Sequence, residues 1–235
     1  MAERQDWKEL ATSLAHMARD LQRRTTVQET LDRIAEFAVE VVDGCEAAGI
    51  LVLRGGRVLT MARTDNVVQA SDRIQGELRE GPCFDAAYYK RESFRIGDMS
   101  TSVRRWPRYA PKARELGVGS MMGFLLFVEG DNELGALDLY SSRPGAFTEH
   151  SEHVGWLLAS HSGVALSTAR HEAQLREAIA TRQDIGEALG ILMERHMYTE
   201  QDAFTLLTKV SQDLNIKLRD IAHTIVTTGE IPSTS

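Results

Sequence analysis

The run Ile185-Gly-Glu-Ala-Leu-Gly-Ile-Leu-Met-Glu-Arg-His196 decides the fold of the last quarter of this chain. Ile185, Leu189, Leu192 and His196 recur at helical spacing and predict one apolar stripe. Gly186, Gly190 and Met193 recur at the same spacing on an adjacent face. A glycine inside a helix costs roughly 1 kcal/mol relative to alanine. Two of them one turn apart imply that something approaches that backbone closely, whether a neighbouring helix or a bound molecule.

The residues downstream complete a small domain. Tyr198 is expected to end the first helix, and Thr199-Glu-Gln-Asp202 reads as a capping box with Asp in the fourth place. Ala203, Phe204, Leu207, Val210 and Leu214 describe a second amphipathic helix. Asn215 is expected to break it and to N-cap a third. That third helix carries Leu218, Ile221, Ala222, Ile225 and Val226, and Gly229 stops it. Three short helices with one apolar face each bury those faces against one another, so an all-α three-helix bundle is predicted.

From about Leu175 to Gly229 the chain resembles the ANTAR domain, the RNA-binding module of transcription antitermination regulators. The likeness is carried by Gly190-Ile-Leu-Met193, Ala203-Phe204, Leu207, Ser211-Gln212 and Lys217-Leu-Arg219-Asp-Ile-Ala222, in register and without a gap. The resemblance implies a homodimer that binds paired RNA stem-loops in a nascent transcript and so keeps a terminator hairpin from forming.

Charge is a caution here. Between Leu175 and Gly229 six Lys or Arg stand against eight Asp or Glu, a balance of −2, unlike the basic footprint of a typical nucleic-acid binder. Hairpin loops are read through stacking and base edges more than through bulk charge, so a few placed cations suffice. The candidate RNA-binding residues are Arg182, Gly186, Gly190, Met193, Lys217 and Arg219. Lys217 and Arg219 open the third helix, where outward N–H groups favour phosphate. Arg182 lies one turn before Gly186. The bare backbone at Gly186 and Gly190 offers room for a flipped base or sugar, with Met193 as an apolar rest. Met193 reads equally as core, and each cation as a solvated charge.

The rest of the chain is the size of a sensor domain. At 235 residues, 43% apolar and 26% charged, it accommodates one medium domain and one small one. No apolar run approaches the roughly 20 residues that span a bilayer, and Met1-Ala-Glu-Arg-Gln-Asp lacks a signal-peptide pattern. With a net charge of −7, a soluble cytoplasmic protein without a membrane partner is expected. Cys45 and Cys83 make neither a disulfide framework nor a metal-ligand set.

Trp7, Leu10, Leu14, Met17 and Leu21 predict a first helix, too short to stand alone, which packs on a partner chain or on its own domain. Val27, Leu31, Ile34, Phe37, Ala38 and Val41 predict a second. Ala48 to Leu53 and Val58 to Ala62 form a hairpin signal around Gly55-Gly56. Ser93 to Ile96 is a short strand. Pro107 to Leu116 forms a helix whose first turn is uncertain at Pro111. Met121 to Glu129 and Glu133 to Tyr140 form another hairpin. A proline-free helix begins at Thr148. The stretch between the second and third strands reads as irregular.

This order describes an α+β domain with an antiparallel sheet and flanking helices. Over about residues 26–170 it resembles the GAF domain, a small-molecule and redox sensor fold, through Glu80-Gly-Pro-Cys83, Ala86-Ala87 and Gly135-Ala-Leu-Asp-Leu139. The organisation expected is an N-terminal helix (1–25), a GAF-like sensor domain (26–170), and, after a coiled-coil linker helix, an ANTAR bundle (171–231). Cys83 is the ligand or redox candidate, with a buried small residue at a tight turn as the plain alternative. The ligand and any cofactor stay unnamed; the Asn-Lys-x-Phe-Asp-Glu pattern of cyclic-nucleotide-binding members is absent. His150 and His153 lack a third metal ligand, and Arg104, Arg105, Arg108, Lys112 and Arg114 read as a solvated basic face.

The functional expectation is a non-enzymatic RNA-binding antitermination regulator under sensor control. A DNA-binding or protein-interaction regulator using the same bundle is the alternative. A cysteine-based methionine sulfoxide reductase, resting on Cys83 and Cys45, is weaker still.

Overall fold

The computed structural model describes residues 2–82, 84–85, 93–129 and 133–232. The chain divides into two compact units, Met1–Arg170 and His171–Ser235, and each is described by itself.

The first unit is built on a five-stranded antiparallel sheet. In chain order it holds α1 (Ala2–Leu21), α2 (Val27–Val41), β1 (Ala47–Arg54), β2 (Arg57–Arg63), α3 (Asn66–Leu78) and β3 (Ser93–Ile96). A 3-10 turn (Met99–Arg104), α4 (Tyr109–Glu115), β4 (Ser120–Glu129), β5 (Glu133–Ser141) and the start of α5 (Glu149–His196) follow. The strand order is β2-β1-β5-β4-β3, with Ile50 opposite Leu137 and Met122 opposite Leu139 in the central ladders.

Helices cover both faces of the sheet. Ala48 and Ile50 of β1, Met122 and Phe124 of β4, and Leu137 and Leu139 of β5 meet Leu31 and Ile34 of α2 and Leu158 of α5. The alternate residues Ala47, Leu51, Met121 and Tyr140 meet Val68 of α3 and Tyr109, Ala110 and Ala113 of α4. Burial on both faces explains why β1 is nearly continuously apolar. Leu14, Met17 and Leu21 of α1 enter the first of these cores, so this helix docks on its own domain.

Local chemistry sets the element ends. Thr26 and Glu29 form a reciprocal capping box at α2, which leaves fewer of its first N–H groups orphaned. Pro111 falls in the first turn of α4, where its missing N–H costs nothing, and Glu80 Oε1 accepts from the N–H groups of Arg108 (2.7 Å) and Tyr109 (2.9 Å). The stretch read as irregular contains α3, N-capped by Asp65. Its inward residues are Val68, Ser71, Asp72 and Gln75. Three of these four are polar, so the apolar period that marks a buried helix face is missing.

The second unit is a three-helix bundle of the end of α5, α6 (Glu200–Leu214) and α7 (Leu218–Thr228). Ala188, Leu192, Ala203, Leu207, Ile221, Ala222 and Ile225 are its core, with Ile185 and Leu189 packed against it. His196 is exposed and does not extend the stripe. The first helix ends at His196, two residues earlier than the expected Tyr198, with Met197 left-handed at φ 53°. Thr199 and Asp202 cap α6 reciprocally, as expected. Asn215 does not N-cap α7. It ends α6 in the left-handed conformation, φ 52°, which its short polar side chain tolerates. The N-cap of α7 is Lys217, with no side-chain cap bond.

Candidate nucleic-acid interface

Four glycines punctuate α5, and they divide into two kinds. A Cβ on Gly155 would come within 2.5 Å of the Phe124 ring, and one on Gly163 within 2.6 Å of the Leu126 carbonyl. Those two let the helix lie on the sheet. A Cβ on Gly186 or Gly190 would meet nothing within 4 Å. No neighbouring helix among the described residues packs on that pair. Met193, on the same face, is 36% exposed rather than core.

The second unit's cations sort by what holds them. Arg219 Nη1 is paired with Glu177 Oε1, and Arg219 Nε lies 3.5 Å from Asp220 Oδ1. His223 Nδ1 meets Asp184 Oδ2 at 3.1 Å. Arg195 donates to the Gly229 carbonyl at the end of α7, an orphan acceptor by helix geometry. Arg176 pairs with Glu172, four residues back, at 3.1 Å. Arg182 and Lys217 make no ion pair among the described residues.

Arg182 and Arg219 are brought together. Both line a notch of about 400 Å³ between α5 and α7, floored by Ala178 and Ile185 and edged by Glu177 and Thr181. Arg182 also begins the face that continues through Gly186, Gly190 and Met193, because residues four apart lie one turn above each other. Lys217 is exposed at the N-cap of α7, two residues before Arg219. Sequence reasoning missed Glu177 and Asp184, the carboxylates that hold the α7 side chains. Each lies about forty residues from its partner, and no local signal marks such a pairing.

The sensor-sized unit holds a buried polar layer under α3. Asp72 is 1% exposed and accepts from Thr60 Oγ1 (2.7 Å) and Tyr140 Oη (3.3 Å). Burial pushes its carboxyl up to about 6, against these two hydrogen bonds. Ser71 Oγ lies 2.8 Å from Tyr109 Oη. Cys45 is buried, and desolvation pushes its thiol up to about 12, so it is not a thiolate nucleophile. Cys83 lies outside the described residues. Arg105 pairs with Asp85 at 3.1 Å and stacks over Trp106, which commits one member of the basic cluster. His153 Nδ1 contacts the Glu149 carbonyl at 2.8 Å. Among the described residues no group of three His, Cys, Asp or Glu could hold a metal.

Family comparison assigns both units: the GAF domain matches residues 24–167 and the ANTAR domain matches residues 173–226. The chain is a GAF-family protein carrying an ANTAR domain. Solved structures agree on the first fold. The GAF domain of a phosphoenolpyruvate-protein phosphotransferase from Coxiella burnetii is similar with a TM-score of 0.54 at 17% identity, over 70% of this chain and 96% of that one. The free methionine-R-sulfoxide reductase from Neisseria meningitidis is similar at 0.51 and 15%, over 69% and 91%. The chromophore-binding domain of a bacteriophytochrome from R. palustris is similar at 0.54 and 12%, over 70% of this chain. The chain spans 63% of the length of that domain. At these identities the likeness is one of fold alone. No curated protein matches the chain. No helix among the described residues is long and apolar enough to cross a membrane.

Proposed function

We propose that this protein is a transcription antitermination regulator, non-enzymatic, in which the GAF unit senses a small molecule and controls RNA binding by a dimeric ANTAR domain. The observation that carries this reading is the ANTAR match over residues 173–226, on a bundle whose paired helix glycines are bare. Arg182 and Arg219 hold phosphate at the notch, Lys217 adds a third cation, and the Gly186–Gly190 backbone with Met193 receives an unstacked base of a hairpin loop. Three cations rather than a basic field imply a shallow salt dependence. The domain limits follow the same reading: an N-terminal helix over 1–25, the sensor over 26–170, and the RNA-binding bundle over 171–231.

Dimerisation has its own support. Residues 171–180 of α5 are exposed throughout, and Leu175 and Ile179 stand 62% and 59% exposed. Large apolar side chains at a four-residue spacing are the seam of a two-stranded coiled coil. Cys45, with its thiol pushed up to about 12, disfavours the reductase reading.

The test is a titration of the full chain into an RNA with two short stem-loops, beside a duplex DNA control, at two salt concentrations. Binding to the RNA alone, weakened about tenfold by Lys217→Ala with Arg219→Ala, is the expected result. Equal binding to duplex DNA would overturn it in favour of a DNA-binding regulator.

A further inference from the structure

The edge strand β2 and one flank of α3 bound a channel that RNA binding does not use. Among the described residues β2 pairs with β1 only, so its second edge faces outward. The channel, about 1000 Å³, is lined on the strand side by Arg57 to Met61 in unbroken succession. Successive strand residues point to opposite faces. A space that touches five in a row therefore reaches the strand's main chain as well as the side chains of one face. The opposite wall is Asn66, Ala70, Arg73 and Glu77 of α3, which recur at helical spacing. Gly76 brings helix and strand close, since a Cβ there would lie 3.3 Å from Val58 Cβ. At the far end Gln28 Nε2 donates to the Met61 carbonyl at 2.9 Å, which leaves residues 57–60 as the open edge among the described residues.

An outward strand edge between a helix flank and apolar side chains fits an extended peptide better than a compact ligand. The peptide's main chain completes the ladder while alternate side chains enter the groove. Charge selects the kind of peptide. Arg57, Arg73 and Arg79 line the channel against Glu77, which lies 3.9 Å from Arg73, and the buried Asp72, so Arg57 and Arg79 leave a local excess of positive charge in a chain of net charge −7. A second copy is disfavoured as the occupant. Antiparallel pairing of two β2 edges would set Arg57 opposite Arg63 at both ends, and like charges directly opposite destabilise a pair. We propose that this channel is a docking site for a short acidic segment of a partner protein, which adds to the sheet beside β2 as a sixth strand. About four to six residues suffice at roughly 3.3 Å per residue. Apolar side chains at alternate positions meet Val58 and Ala70, and Asp or Glu at the others meet Arg57 and Arg73.

The test is selection of a random heptapeptide library against the full chain, followed by titration of the enriched peptide. The expected winners carry Asp or Glu and alternate apolar residues. They bind at least tenfold more weakly to Arg57→Glu with Arg73→Glu, keep binding to the Arg→Lys pair, and lose binding when alternate peptide amides are N-methylated. Hydrogen exchange slows at the amides of β2 when the peptide is bound. Arg57 and Arg73 are exposed, so the variants fold, which circular dichroism checks. Failure to enrich any sequence overturns the proposal. So does a peptide that binds the Glu pair equally well, tolerates N-methylation, or leaves β2 exchange unchanged.

Discussion

Replacing Gly186 and Gly190 together by alanine separates the cost of these glycines from their use. An added Cβ at either position meets nothing within 4 Å, so no packing is lost. Each replacement gains about 1 kcal/mol of helix propensity, and the pair about 2 kcal/mol. Because tenfold in an equilibrium constant is about 1.4 kcal/mol, amides that exchange by opening of the second unit should be protected about 30-fold more. Hydrogen exchange at Leu192, Leu207 and Ile225, all buried in that core, reads this directly. Gly163→Ala is the contrasting control. Its Cβ would press to 2.6 Å of the Leu126 carbonyl, and protection in the first unit's core should fall. In the same stabilised Gly186→Ala/Gly190→Ala protein, affinity for a two-stem-loop RNA should drop more than tenfold, because the methyls occupy the space kept for the base. Unchanged or reduced protection would refute the claim that this face is bare within the chain. Increased protection with undiminished RNA binding would refute its role as the contact surface.

Other consequences follow from individual side chains. Glu177→Gln releases Arg219 from its ion pair. An exposed pair of this kind contributes about 0.2–1 kcal/mol, so RNA affinity by fluorescence anisotropy should rise by no more than about fivefold, and a fall would show that Glu177 positions Arg219 for the RNA. Asp72 has its folded carboxyl raised from 3.8 to about 6. The folded state therefore holds a proton that the unfolded state has released, and stability falls as pH rises between those two values. Asp72→Asn should flatten that part of the pH–stability curve in urea titrations; a profile identical to the parent's would contradict a buried carboxyl. Cys45, with its thiol near 12, should resist iodoacetamide at pH 8 until the protein is denatured, as followed by mass spectrometry of the Cys45 peptide.

Much of the architecture was legible because it is written locally. The α6 cap rests on side chains within three residues of the groups they bind. The first hairpin rests on two apolar runs either side of Gly55-Gly56. The core face of the second unit was visible in Ile185, Leu189 and Leu192, and only His196 was misplaced on it. A stripe says where a face points, and not where its last turn meets solvent. Asn215 marks the break between α6 and α7, but as the end of α6 rather than the start of α7. Asn serves both at an N-cap and in the left-handed position that ends a helix, and the loop that follows decides between them.

The sequence by itself determined the elements whose inward faces are apolar and the caps that delimit them, since both arise from neighbours in the chain. Only the tertiary structure decided the rest. It revealed α3, because Ser71 and Asp72 are buried by meeting the polar partners Thr60, Tyr109 and Tyr140 rather than by their own hydrophobicity. It distinguished Gly163 from Gly190, identical in sequence terms, because one lies on a strand's carbonyl and the other on open space. It set Arg219 against Glu177, forty-two residues away. Polar pairing and close approach depend on which surfaces the whole chain brings together, and no stretch of a dozen residues contains that information.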